Sequence, residues 1–128
     1  MRRTILIVDD DPQVRMLCRM TLEAGGYVAR EAVDGREALA AMKDALFDLI
    51  VLDLSMPEMD GLEFLEAVRA ASSRIKIIVI SGFMDGVMLP AARHLGGAAT
   101  LAKPFPPDSL LLAVDEALAE NGPVAASN

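Results

Sequence analysis

Four short apolar runs in this chain each stop on a polar residue of reactive type. Thr4–Val8 runs into Asp9-Asp10-Asp11, Leu49–Leu52 into Asp53, Ile75–Ile80 into Ser81, and Ala98–Ala102 into Lys103-Pro104. Carboxylates gathered in one cleft repel one another unless a cation neutralises them. Oxygen-only ligands favour a hard divalent ion, and two carboxylates, a backbone carbonyl, waters and a phosphoryl oxygen suit the octahedron of Mg²⁺. An aspartate beside such an ion can act as a nucleophile toward phosphorus. A serine hydroxyl and a lysine ammonium would then supply donors to the phosphoryl oxygens, which is most of what phosphoryl-transfer catalysis requires. Singly, each group has an ordinary explanation. Asp10 or Asp11 can cap the next helix, Ser81-Gly82 can be a turn, and a lysine before proline is usually at the surface. The coincidence at four run ends favours the chemical reading.

That reading requires the runs to be neighbouring strands. Little alternation of apolar and polar residues marks three of five such runs, as expected of strands covered on both faces; the fifth run, Tyr27–Ala32, is weak. Helical patterns separate them. Pro12 fits a first turn behind an aspartate cap, and Asp34 with Glu37 and Asp60 with Glu63 match capping boxes. Gly25-Gly26 and Gly96-Gly97 fit helix stops, and a last helix spans about Pro107 to Glu120. Strict β–α alternation over five rounds predicts an α/β fold: a flavodoxin-like, doubly wound, five-stranded parallel sheet of order 2-1-3-4-5, with five helices on its two faces. In that order strands one and three are adjacent, so Asp9, Asp10 and Asp53 meet beyond the carboxyl ends of the strands.

Composition sets outer bounds. The 128 residues fit one domain, with 53% hydrophobic residues available for a core. We expect a domain over residues 1–121 and a frayed tail over 122–128. Twelve Lys+Arg against 19 Asp+Glu give a charge of −7, which argues against direct nucleic-acid binding and against an anionic membrane surface. Four of those acids, Asp9, Asp10, Asp11 and Asp53, crowd the proposed cleft, so the rest of the chain is nearly balanced. A single cysteine excludes a disulfide framework and a cysteine-based zinc site. No run is long enough to span a membrane and no signal peptide opens the chain, so a cytoplasmic location is expected.

The chain resembles a bacterial response-regulator receiver domain of the stand-alone, chemotaxis-regulator-like kind over about residues 3 to 121. The resemblance rests on Ile5-Leu6-Ile7-Val8-Asp9-Asp10-Asp11-Pro12, on Asp53-Leu54-Ser55-Met56-Pro57 with Asp60-Gly61, on Ser81-Gly82, and on Lys103-Pro104-Phe105. It implies that Asp53 accepts a phosphoryl group from a sensor histidine kinase or a histidine phosphotransfer protein. It implies an Mg²⁺ held by Asp10 directly, by Asp9 mainly through water, by Asp53 and by the backbone carbonyl of Ser55. Ser81 and Lys103 would bind the phosphoryl oxygens and report the group to the rest of the fold. A downstream effector would read the change on the face made by the fourth helix, fifth strand and fifth helix, with the chain a monomer or weak homodimer. One position departs from the family pattern. Thr100 stands three residues before the lysine, where the family usually carries an aromatic switch residue, and Phe83 is a candidate to take over part of that role.

Other residues have local readings. Cys18 shares a face of the first helix with Val14, Leu17 and Leu22 and is read as buried packing. Met16 and Met20 lie on another face beside Arg15 and Arg19, a surface that fits either a docking partner or an ordinary helix edge. Leu112 is out of phase with Leu111, Val114 and Leu118 and is expected to be exposed. His94 is read as a surface residue. The apolar stretch Gly82–Leu89, before a short fourth helix starting near Leu89, fits either a fold-back onto the core or a partner surface. Three rival functions are weighed. A dehalogenase-like Mg²⁺ phosphatase would use Asp9-x-Asp11, but Pro12 follows where such enzymes usually have Thr or Val, and the late acidic pair that they use for metal is missing after Lys103. A flavodoxin-like cofactor carrier would not place three aspartates against a phosphate. A degenerate receiver acting as a scaffold would not keep the full set of phosphorylation residues.

Overall fold

The computed structural model describes residues 2–53, 61–71, 75–81 and 97–120. Nine elements lie along them: β1 (Thr4–Val8), α1 (Pro12–Ala24), β2 (Val28–Ala32), α2 (Gly35–Asp44), β3 (Leu49–Asp53), α3 (Gly61–Ala71), β4 (Lys76–Ser81), β5 (Gly97–Ala102) and the C-terminal helix (Pro107–Glu120). The strands form one parallel sheet in the order β2-β1-β3-β4-β5, as predicted. Four helices lie among the described residues. The expected fourth helix near Leu89, the Gly82–Leu89 stretch, Phe83, His94, Ser55, Asp60, Gly96 and the tail fall outside them.

Local chemistry explains where the elements begin and end. Asp11 caps α1 by accepting from the Gln13 backbone N–H, and Pro12 occupies the first turn, where its missing donor costs nothing. Asp34 caps α2 the same way, accepting from Glu37 N–H at 2.8 Å. Glu37 returns the favour one residue further back than the standard capping box, accepting from Val33 N–H at 3.0 Å. Helix α1 stops at Gly25, where a methyl group would come within 2.5 Å of Leu111 Cδ1 on the C-terminal helix. Gly26 follows with φ +96°, a conformation that favours glycine.

The sheet divides the interior into two layers. Leu6, Val8, Ile50, Leu52, Ile77 and Val79 face α2 and α3 and pack with Ala38, Ala41, Phe64, Leu65 and Val68. The alternate residues, Ile5, Ile7, Leu49, Val51, Ile78 and Ile80, face α1 and the C-terminal helix and pack with Cys18, Leu22, Leu110 and Val114. Each of these large aliphatic side chains contributes roughly 1.5–3 kcal/mol by leaving water. Strand β5 carries one extra residue: Ile77 pairs with Gly97 but Ile78 pairs with Ala99. Paired residues of parallel strands share a face, and a one-residue shift exchanges the faces. The pairing that follows the extra residue therefore puts Ala99 and Leu101, and the row that leads to Lys103, on the α1 side of the sheet.

Several boundaries differ from the sequence reading. Strand β2 starts at Val28 and β4 spans Lys76–Ser81. Gly97 opens β5 and is not part of a helix stop. Leu17 is 42% exposed, whereas Cys18 and Leu22 are fully buried. The buried stripe of α1 follows the i, i+4, i+8 row Val14–Cys18–Leu22, and Leu17 lies at its edge, outside the core cluster. Tyr27 sits outside the strand, half-buried, and its hydroxyl donates to Asp115 Oδ1. Burial first, and the Asp115 carboxylate second, push its phenol up to about 12. Tyr27 is the only tyrosine, so ultraviolet titration should give one phenolate step near that value rather than near about 10. Because the folded value is raised, the tie to Asp115 is fully present below about pH 10 and is lost as pH rises through the folded value. A step near 10 in the folded protein would refute the contact.

Candidate functional site

Register brings the acids together. Val8 pairs with Leu52, so the residues that follow them, Asp9 and Asp53, lie side by side at the ends of β1 and β3. Both continue the rows that face α1 and the C-terminal helix. They are the only buried charged residues among those described, with 1% and 2% exposure. Asp10 follows on the exposed rim. One carboxylate oxygen from each of Asp9, Asp10 and Asp53 lies within 4.8 Å of the others.

Each group is held in a definite way. Asp9 N–H donates to Ala32 O at 3.2 Å, tying the end of β1 to β2. Asp9 Oδ1 accepts from Asp11 N–H at 2.9 Å, a local turn contact that fixes the carboxylate. Its other oxygen, Oδ2, is buried and makes no hydrogen bond. Lys103 Nζ stands 3.3 Å from that oxygen, an ion pair whose geometry is not a hydrogen bond. The same ammonium donates to Asp53 Oδ2 at 3.2 Å. Burial, the largest influence on Lys103, lowers its pKa, but Asp53 and then Asp9 outweigh it and the net shift is upward. Lys103 is therefore an ammonium at neutral pH. Neighbouring Cys18 is pushed up to about 12 by burial and then by the Asp9 charge, which makes it an inert packing thiol.

Three carboxylates against one ammonium leave the cluster negative. A buried acceptor without a hydrogen bond is costly, and buried charges need partners. The donor set is all oxygen and one of its atoms, Asp9 Oδ2, still has an acceptor site to fill. These residues fit a hard divalent cation such as Mg²⁺.

The other sequence-predicted residues fall as follows. Ser81 ends β4 and pairs with Ala102, which brings its backbone to the same rim. Thr100 pairs with Val79 and so lies on the α2–α3 side of the sheet, half-buried and away from the acids. Asp11 is a helix cap. Met16 and Met20 are exposed, as is Leu112. Arg15 is a correction. It is 13% exposed and turns inward: Nη1 donates to the Asp9 backbone carbonyl at 2.7 Å and Nε to Glu31 Oε1 at 3.0 Å. No sequence signal identifies a side chain whose partner is a backbone carbonyl.

The comparisons agree with this geometry. Residues 5–115 match the response regulator receiver domain, and the chain belongs to that family. Among characterised relatives it is similar to the chemotaxis protein CheY of Thermotoga maritima, 33% identical over 91% of this chain and 98% of that one. It is also similar to the sporulation initiation phosphotransferase F of Bacillus subtilis, 32% identical over 92% of this chain and 95% of the relative. Among solved structures, Vibrio cholerae CheY4 superposes with a TM-score of 0.85 at 34% identity, covering 91% of this chain and 99% of the other. A CheY-like receiver protein of Methanospirillum hungatei gives a TM-score of 0.89 at 31% identity, over 94% and 96%. Receiver domains are signalling switches, phosphorylated on an aspartate in a phosphorelay, and not turnover enzymes. The phosphatase and cofactor-carrier readings fall with that assignment. No helix among the described residues is long and apolar enough to cross a membrane.

Proposed function

We propose that Asp53 is the phosphoryl acceptor of a two-component switch and that Lys103 and Ser81 bind the transferred group. The observation that carries the reading is the buried Asp9–Asp53 pair bridged by one ammonium beside Asp10. A histidine kinase or histidine phosphotransfer protein presents a phosphohistidine. A carboxylate oxygen of Asp53 attacks its phosphorus. The O–P bond forms as the P–N bond breaks, and the imidazole leaves with the electron pair and takes a proton from water. Hydrolysis later returns the Asp53 carboxylate and inorganic phosphate.

Asp9, Asp10, Asp53 and the backbone carbonyl of Ser55 would hold Mg²⁺, which when bound neutralises charge on the acids and on the phosphoryl oxygens. The chain's own residues do the rest. Lys103, already aimed at Asp53, moves its donors to the new phosphoryl oxygens, and the Ser81 hydroxyl supplies another. The added charge of about −1.5 to −2 competes with Asp9 for Lys103, and that competition biases the two states of the switch. With Thr100 at the position the family usually fills with an aromatic, coupling runs by a different route, for which Phe83 is the candidate. An effector protein reads the result on the surface of the fourth helix, β5 and the C-terminal helix, where Leu112 is 59% exposed. We place this switch in the cytoplasm, as a monomer or weak homodimer without direct nucleic-acid contact.

Incubating the chain with Mg²⁺ and a small acyl phosphate tests the reading. Intact mass should rise by a single phosphoryl group, and peptide mapping should put it on Asp53. No adduct with any acyl phosphate or phosphoramidate donor refutes the proposal, as does an adduct on another residue.

A further inference from the structure

We infer that Arg15 is a positioning residue for the cation site, acting through the backbone of Asp9; the inference rests on the proposed Mg²⁺ role of the acids. Asp9 is the last residue of its run before the chain leaves the sheet for α1. Its N–H is fixed by Ala32 O, and no backbone N–H among the described residues donates to its carbonyl. Arg15 fills that place from the first turns of α1, at 2.7 Å. The guanidinium is itself locked, because Nε donates to Glu31 Oε1 at 3.0 Å. Glu31 is in turn held by Arg19 Nη1 at 3.1 Å, and Arg19 Nε reaches Glu23 Oε2 at 3.3 Å. Two arginines and two glutamates thus form a chain of no net charge, anchored on α1 and β2 and ending on the Asp9 peptide.

Two consequences follow for the cation. With both ends of the Asp9 peptide clamped and Oδ1 engaged by Asp11 N–H, the unfilled Oδ2 points into the cluster in one orientation. The positive charge of Arg15 would repel a cation if bare, but Glu31 cancels it locally. A planar fork is needed to reach the carbonyl and the carboxylate at once, and a lysine cannot do so.

Charge and position predict opposite signs, which makes the test decisive. Mn²⁺ serves as the probe, followed by electron paramagnetic resonance, with Mg²⁺ as competitor. If Arg15 acted only as a nearby positive charge, Arg15→Ala would tighten Mn²⁺ binding and Arg15→Lys would leave it unchanged. Positioning predicts that both variants bind about tenfold more weakly, the low end of the loss seen when groups that orient metal ligands are removed. Phosphorylation from an acyl phosphate should fall in both at low Mg²⁺ and return toward wild type at high Mg²⁺. A purely structural role would lower the melting temperature of metal-free protein without changing Mn²⁺ affinity. Arg15→Lys keeps the charge and most of the side-chain stem, so it remains informative should Arg15→Ala not fold. Wild-type affinity in Arg15→Lys, or tighter binding in Arg15→Ala, overturns this inference alone. No Mn²⁺ binding by the wild-type chain overturns the cation site and this inference with it.

Discussion

Asp53→Asn is expected to abolish the phosphoryl adduct and, in Mg²⁺-free buffer, to melt above the wild-type chain. Loss of the adduct follows from chemistry, since an amide is not a nucleophile toward phosphorus under these conditions. The gain in stability follows from the crowding of charge. Asp53 is 2% exposed, and its carboxylate faces those of Asp9 and Asp10 with one ammonium between them. Neutralising it forfeits the ion pair with Lys103, but removes the repulsions from Asp9 and Asp10 and the cost of keeping an anion out of water. Taking one like charge out of a buried cluster of carboxylates relieves both repulsion and desolvation. We expect about 1–2 kcal/mol, or roughly 3–8 °C for a domain of this size. Saturating Mg²⁺ should reverse the order, because only the wild-type chain keeps the proposed ligand set and would gain stability by binding. Thermal melts in EDTA and in excess Mg²⁺ decide it. An Asn variant that melts lower than wild type in EDTA contradicts this electrostatic account.

Lys103→Met should act in the opposite direction and more strongly. It leaves the Asp9 and Asp53 carboxylates buried with no ammonium between them. Removing one partner of a buried ion pair costs about 3–5 kcal/mol, and screening of the Lys103 side chain, 26% exposed, trims this to about 2–4 kcal/mol. A divalent cation can take over the neutralising role, so the variant's stability should depend steeply on Mg²⁺ where the wild type's depends mildly. Phosphorylation should slow by about 10²–10³-fold even in excess Mg²⁺, because the proposed donor to the phosphoryl oxygens is gone. The double variant Asp53→Asn with Lys103→Met should recover most of the lost stability, since the two positions are in contact and their effects are not additive. Urea midpoints of the four proteins in EDTA provide the measurement. Lys103→Met with wild-type stability in EDTA would show that the ammonium is not compensating the acids.

The strand order and the convergence of Asp9, Asp10, Asp53 and Lys103 were legible in the sequence because doubly covered strands have unbroken apolar runs. A polar residue at the end of such a run stands out against them. The caps of α1 and α2 were legible because each depends on one side chain and a backbone group two or three residues away. What escaped depends on contacts between distant segments. Arg15 bonds the backbone of Asp9 and closes on Glu31, 16 residues later, on another element. Leu17 is exposed because the core beside α1 takes in Val14, Cys18 and Leu22 and leaves Leu17 outside it. The sequence marks Lys103 as a donor for phosphoryl oxygens but does not show that it bridges two acids, a contact that follows from the surplus of negative charge that draws it in.

The pairing of β5 has a consequence that is a matter of counting. A pleated strand distinguishes odd from even positions and nothing else. The odd residue of β5 is taken up before Ala99, so removing it would close the bulge and leave Ala99 to Ala102 opposite Ile78 to Ser81, with Lys103 still following on the side of the acids. What sets the side of Lys103 is that later pairing, and shifting it by one place would turn the row toward the α2–α3 layer, away from both acids. A single gap at the start of β5 is therefore harmless to the placing of Lys103, whereas a one-place slip after Ala99 is not.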